Sequence, residues 1–180
     1  LTGWSVDSNS SSTEGGCSLR ANAMPLASAG TDNKAQIQFT GTFATGNISV
    51  KRRVSSEAGW DCFRVYIDGV TQNLGAPNGC YGSDENGNSG DVPFGQLLIP
   101  ITAGTRTVIF SYEVDNVIAA GSDTAWIDEV VFPQFTLSVT KTGSTGSGTV
   151  FSAPPGITCG STCSAAMSGD VSLTALPNPG

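Results

Sequence analysis

The chain holds fifteen Asp and Glu side chains, eight Lys and Arg, and no histidine. Any chemistry it performs has to run on carboxylates, hydroxyls or thiols. Without histidine there is no Ser-His or Cys-His nucleophile pair, no imidazole base and none of the usual catalytic zinc sets. Glycoside hydrolysis needs only two carboxyl groups, but they must face each other across roughly 5–9.5 Å. Asp61 and Asp68 bracket the most regular strand pattern in the chain. At seven residues' separation they lie about 23 Å apart along an extended strand, and on opposite faces. Glu57, Glu113 and Asp128 would have to converge from different strands, and no spacing rule brings them together. The residues point to a chain without a catalytic centre.

Binding chemistry is better represented. Aromatic faces stack on sugar rings while neighbouring polar groups satisfy hydroxyls. Trp60, in a polar turn, and Tyr81, in a long loop, are the exposed aromatic candidates, and Arg64 and Tyr66 share one strand face. For Trp60 the competing role is packing over its own hairpin; Trp4 and Trp126 sit in strand-like contexts and read as core. The run from Asp84 to Asp91 (DENGNSGD) has the Asp-x-Asn-x-Asn spacing that opens an EF-hand loop. Its sixth position is Ser89 where Gly belongs and its twelfth is Gly95 where Glu belongs, so it reads as a solvated acidic loop.

Five cysteines among Gly/Ser/Thr-rich loops point to an oxidising compartment. Cys159 and Cys163 form a Cys-x3-Cys loop suited to a local disulfide; zinc would want two more ligands nearby. Cys62 and Cys80 flank a strand and its following loop and are the next pair, with Cys17 left over and its pairing with either of them open.

These residues must be positioned by strands. In Cys62–Asp68, Phe63, Val65 and Ile67 alternate with Arg64, Tyr66 and Asp68, the period of a half-buried strand. No apolar stripe at helical spacing persists for a dozen residues, and turn signals recur at Asp68-Gly69, Ala103-Gly104 and Gly121-Ser122. Strands are expected over 4–6, 17–22, 34–40, 46–55, 61–68, 95–102, 105–113 and 124–132. The expected fold is all-β, an antiparallel two-sheet β-sandwich of jelly-roll type. The insert 75–93 exceeds an ordinary loop and is expected to be functional, disulfide-pinned or mobile. Pro133 closes this first unit (1–133); a small β unit (134–180) follows, with too little core to dispense with its disulfide.

The net charge of −7 resides in the first unit, which carries no basic stripe, and this excludes nucleic acid as a partner. In Lys51-Arg52-Arg53, alternation sends Arg52 to the face opposite its neighbours, giving a charged edge or an internal ion pair. No apolar run approaches the ~20 residues of a membrane span. The chain opens on Leu1 and reads as part of a processed or longer protein.

Several motifs occur in order: Phe39-Thr40-Gly41, Gly46-Asn47-Ile48-Ser49, Val54-Ser55-Ser56-Glu57, Trp60-Asp61, Tyr66-Ile67-Asp68-Gly69 and Ala125-Trp126-Ile127-Asp128-Glu129-Val130. Together they resemble a jelly-roll module of secreted bacterial hydrolases and surface proteins, similar to meprin-type (MAM) adhesion domains and jelly-roll carbohydrate-binding modules. Residues 134–180 resemble the first half of a divergent internalin-type B-repeat, through Leu137-Ser138-Val139-Thr140, Gly146–Val150, Pro155–Cys159 and Val171–Ala175. The resemblance implies a secreted or cell-surface, non-catalytic accessory module that binds polysaccharide or extracellular matrix and targets an attached catalytic domain. An adhesion or spacer domain without a sugar site is the alternative. It also implies a structural calcium ion on Asp128, with Glu14 and Asp7 as partners; otherwise Asp128 caps a strand end or pairs with Arg52.

Overall fold

The computed structural model describes residues 3–8, 16–28, 33–75, 79–80, 86–142 and 147–178. In chain order the strands are β1 (Trp4–Asp7), β2 (Ser18–Ala21), β3 (Asn33–Phe43), β4 (Gly46–Ser55), β5 (Cys62–Ile67), β6 (Val70–Thr71), β7 (Asp91–Ile101), β8 (Gly104–Val114) and β9 (Thr124–Val131). The second unit adds β10 (Phe135–Ser138), β11 (Gly148–Ala153), β12 (Thr158–Cys159), β13 (Ser164–Met167) and β14 (Ser172–Pro177). No helix occurs among the described residues. The protein is all-β.

The first nine strands form two antiparallel sheets, ordered β1-β2-β9-β4-β7 and β3-β8-β5-β6. From β2 onward the chain passes from one sheet to the other at nearly every connection, so sequence neighbours face each other across the core. Alternation decides which side chains meet there. Ile48, Val50 and Val54 of β4 and Ile127 of β9 point in from one sheet; Phe63 and Val65 of β5 and Val108, Phe110 and Tyr112 of β8 point in from the other. Phe63 and Phe110 stack at 6.3 Å. Trp4 spans the gap, buried, with its indole N–H donating to the Ala35 carbonyl (3.1 Å).

Two expectations about this fold are refined. Trp126 is buried, as its strand context suggested, but it lies apart from the main apolar cluster, on the outer side of its sheet, under the guanidinium groups of Arg53 (4.5 Å) and Arg20 (5.5 Å). Its place two residues from Thr124, with Ala125 and Ile127 turned inward, fixes that side. The insert 75–93 is disulfide-pinned through Cys80, but its run 84–91 is not a solvated acidic loop where it is described. Asn88 and Ser89 are fully buried: Asn88 bridges to Phe63 through paired backbone hydrogen bonds, and Ser89 Oγ accepts from Gly59 N (2.7 Å). Gly87 makes this possible, since a Cβ there would meet Cys80 Sγ at 2.7 Å and the Phe63 carbonyl at 2.9 Å. The strand after the insert starts at Asp91, earlier than expected, and runs through Pro93 because β7 is a sheet edge, where a missing N–H is tolerated.

The second unit has its own small cluster of Ile157, Cys159 and Met167, under the strand pair β10-β13 and the sheet β12-β11-β14. It touches the first through Gly169 N to the Thr42 carbonyl (2.9 Å) and Thr42 Oγ1 to Asp170 Oδ1 (2.8 Å). Cys159 and Cys163 are disulfide-bonded. Replacing both by Ser is expected to cost this unit about 2 kcal/mol. Backbone amides of β11 and β14 should then exchange faster while those of β4 and β8 do not change; equal rates everywhere would mean the bond is dispensable.

Candidate functional site

β5, β8 and β3 lie side by side, with Arg64 opposite Ser111, Ser111 opposite Gln36, and Cys62 opposite Glu113, itself opposite Lys34. Alternation turns all of these away from the core. The outer face of this sheet runs from Lys34, Glu113 and Cys62 through Gln36, Ser111 and Arg64, then Gln38, Ile109 and Tyr66, to Thr40, Thr107 and Asp68. Three two-residue steps make it about 20 Å long, and three strands make it about 10 Å wide. Ile109 is the one aliphatic side chain in these rows.

Glu113 organises this face. It sits on the solvent side of the sheet yet is only 5% exposed. Tyr66 OH donates to its Oε1 at 2.7 Å and Ser111 Oγ to the same oxygen at 2.9 Å. Lys34 Nζ reaches Oε2 at 3.2 Å and Arg64 Nε at 3.5 Å. Gln36 Nε2 extends the network to Ser111 Oγ (3.3 Å), and Arg64 Nη1 also donates to the Asn86 carbonyl. An ordinary solvated strand face leaves its charges in water. Here one carboxylate is covered by two cations, a phenol and a hydroxyl, which fixes all four around it.

Arg64 and Tyr66 are therefore brought together, through a residue that the sequence offered only as a remote carboxylate. Trp60 is 54% exposed in the turn leading into β5, so it does not pack away over the hairpin. Cys62 and Cys80 are bonded and Cys17 is a free, exposed thiol. The disulfide ties the insert to the Glu113 end of the face. Tyr81 lies outside the described residues, as do Asp84 and Glu85. Asn88, the fifth position of the EF-hand-like run, gives its side-chain carbonyl to Arg52 Nε at 2.7 Å. That oxygen is committed inward.

The proposed calcium ligands fall on the other sheet. Asp128 stands opposite Lys51, not Arg52, and β9 carries an extra residue there, since Ser49–Lys51 matches Val131–Asp128. Glu129 takes up the bulge with φ of 48°, its amide donates to Asp128 Oδ1 (2.8 Å), and its carboxylate pairs with Lys51. Asp128 Oδ2 is buried and receives no hydrogen bond. Asp128 borders a cavity of about 300 Å³ whose lining mixes apolar residues such as Val6, Leu19 and Phe39 with Cys17, Ser18 and Glu129. That orphaned oxygen suits a hard cation. Asp7 gives Oδ2 to the Trp126 indole N–H (2.8 Å), and Glu14 lies outside the described residues. Among the described residues no three Asp, Glu, Cys or His side chains gather closely enough to hold a metal by themselves. A calcium ion there would draw on backbone carbonyls and water as well.

Glu113 and Asp128 belong to different sheets, so these two of the three carboxylates weighed as a catalytic set do not pair. Asp68 is engaged elsewhere: Arg106 Nη1 (3.0 Å) and Thr107 N (2.8 Å) hold its carboxyl below the usual range, the Thr107 amide first. The two disulfides are compatible with an oxidising, extracellular setting, and no helix among the described residues is long and apolar enough to cross a membrane. Comparison with protein-family models, with curated proteins and with solved structures finds no match.

Proposed function

We propose that this chain is a secreted bacterial, non-catalytic module of jelly-roll type that binds a neutral polysaccharide along the outer face of the β3-β8-β5 sheet. The observation that carries this reading is the face organised by Glu113: a long strip of amide, hydroxyl and phenol groups held in fixed positions by a buried carboxylate. Fixed polar groups bind hydroxyls with little ordering cost. Trp60, at the turn entering β5, supplies an aromatic surface for stacking. Lys34 and Arg64 are already neutralised by Glu113. With the chain at −7, polyanionic glycans are repelled and neutral ones are not. In the longer protein the module targets an attached hydrolase to its substrate, and a structural calcium held by Asp128, Asp7 and Glu14 supports the strand ends.

A second reading, protein–protein adhesion, draws on the exposure of Trp60, Val117 (62%) and Ile118 (53%) in two loops at one end of the sandwich. Asp61 Oδ1 accepts from Asp115 N (2.9 Å), which joins those loops.

Affinity electrophoresis through gels containing neutral polysaccharides separates the two. Retardation by at least one glycan is expected, with Trp60→Ala and Tyr66→Ala each losing most of it. Stacking is worth about 1 kcal/mol or more, roughly a fivefold or greater loss of affinity. Free migration of the wild-type chain on every glycan would leave adhesion as the function.

A further inference from the structure

The turn before β5 and the segments flanking the loop between β8 and β9 bring three carboxylates to one end of the sandwich: Asp61, Asp115 and Asp123. Asp61 is fully buried. Its Oδ1 accepts from Asp115 N at 2.9 Å, while Oδ2, equally buried, receives no hydrogen bond. Its carboxyl group lies within hydrogen-bonding reach of the Asp123 carboxyl. The other oxygen partner of Asp123 is Tyr112 OH (2.8 Å), and Asp115 Oδ1 is held by Val117 N (2.8 Å). Ser56 Oγ donates to the Asp61 carbonyl (2.7 Å), not to its carboxylate. The ion pairs Lys34–Glu113, Lys51–Glu129, Arg64–Glu113 and Arg106–Asp68 lie elsewhere, and the charges acting on Asp61 are the carboxylates of Asp123 and Asp115.

A buried carboxylate oxygen with no donor, set against a second carboxylate, is destabilising unless a proton or a metal cation lies between them. The backbone around it is tightly held: Asp61 N bonds to the Glu57 carbonyl and Asp123 N to the Ala120 carbonyl. We propose that Asp61 and Asp123 bind a hard divalent cation of the calcium class, with Asp115 contributing to the local negative field. Two carboxylates are fewer acidic ligands than a strong site uses, so carbonyl oxygens of the two loops and water complete the shell. This site is separate from the ion proposed at Asp128: Asp61 precedes β5 and Asp123 immediately precedes β9, whereas Asp128 lies five residues further along β9, opposite Lys51. It ties the turn carrying Trp60 to the loop carrying Val117 and Ile118, the exposed side chains of that end.

Terbium, a luminescent stand-in for calcium, tests this on the full chain, because Trp60 adjoins Asp61 and can sensitise its emission. Wild type should show sensitised emission that calcium displaces, and a melting temperature in calcium at 100 times its Kd that exceeds that in chelator by about 5–10 °C. Asp61→Asn and Asp123→Asn should each weaken binding tenfold or more, with folding in chelator checked by circular dichroism. Asp128→Asn should retain emission, and Trp60→Phe should lower it, with Tyr112 beside Asp123 left as a sensitiser, while keeping the calcium-dependent rise in melting temperature. Because Trp126 beside Asp7 can sensitise an ion held at Asp128, the decisive variants are Asp61→Asn and Asp123→Asn made in the Asp128→Asn background, and emission that persists in both overturns the proposal. So does its loss in Asp128→Asn alone, which would assign the ion to the Asp7–Asp128 side, and so does a wild-type chain that shows no emission.

Discussion

Glu113→Ala is expected to lower the stability of the first unit by about 3–5 kcal/mol, the cost of removing one partner from a buried charged cluster. For a domain of this size that is a fall of roughly 6–20 °C in melting temperature. Most of the loss comes from what remains. Arg64, whose side chain is 12% exposed, keeps its charge and its Asn86 contact but loses its carboxylate, and Tyr66 OH and Ser111 Oγ lose their acceptor. Lys34, at 41% exposure, recovers by turning to water. Glu113→Gln should cost less than half as much, because the amide oxygen still accepts from Tyr66 and Ser111. Chemical denaturation with matched m-values measures both variants. If Glu113→Ala shifts the midpoint no further than a surface substitution does, the cluster is not what orders the face, and the glycan reading loses its main support.

The wild-type chain, kept in chelator, should lose stability as pH rises from about 4 through 6, by about 3 kcal/mol on account of Asp61 alone. Burial first, and the carboxylates of Asp123 and Asp115 after it, push Asp61 up from 3.8 to about 6, against the opposing bond from Asp115 N. The folded pKa exceeds the unfolded one, so between those values the folded state binds more protons. The stability contribution is then complete below pH 4 and lost once pH passes 6. Tyr112 stays protonated throughout, its own pKa raised by burial and by Asp123. Other carboxylates titrate in the same range, so the informative quantity is the difference between wild type and Asp61→Asn. The Asn amide can donate to Asp123 at every pH, and the variant should be more stable than wild type by about 3 kcal/mol at pH 8 and about equal at pH 4. Parallel pH profiles for the two proteins would show that the Asp61 carboxylate is not confined as described.

Much of the scaffold was legible because strand structure is a local property. The alternation in Cys62–Asp68 placed Phe63 and Val65 in the core and Arg64 and Tyr66 outside it, and all eight expected strands of the first unit are present. The short spacing of Cys159 and Cys163 likewise leads to their bond. In Lys51-Arg52-Arg53 alternation put Arg52 on the face opposite its neighbours, and the structure makes that the inner face, where Arg52 is buried.

Residues that act together across strands were not legible. Nothing in the order of the chain says that Glu113 stands opposite both Lys34 and Cys62, because that depends on which strands pair and in which register. Asp61 was weighed against Asp68, its neighbour on the strand, whereas its true company is Asp115 and Asp123, more than fifty residues away. The acidic insert read as solvated because of its composition, yet Asn88 and Ser89 are drawn inward by Phe63, Arg52 and Gly59. The sequence by itself determined an acidic, histidine-free, all-β chain and the face on which most strand side chains lie, since period and composition are carried by adjacent residues. Only the tertiary structure decided which carboxylates are covered by cations and which are left facing each other, because charge compensation is settled between strands distant in sequence and paired in space.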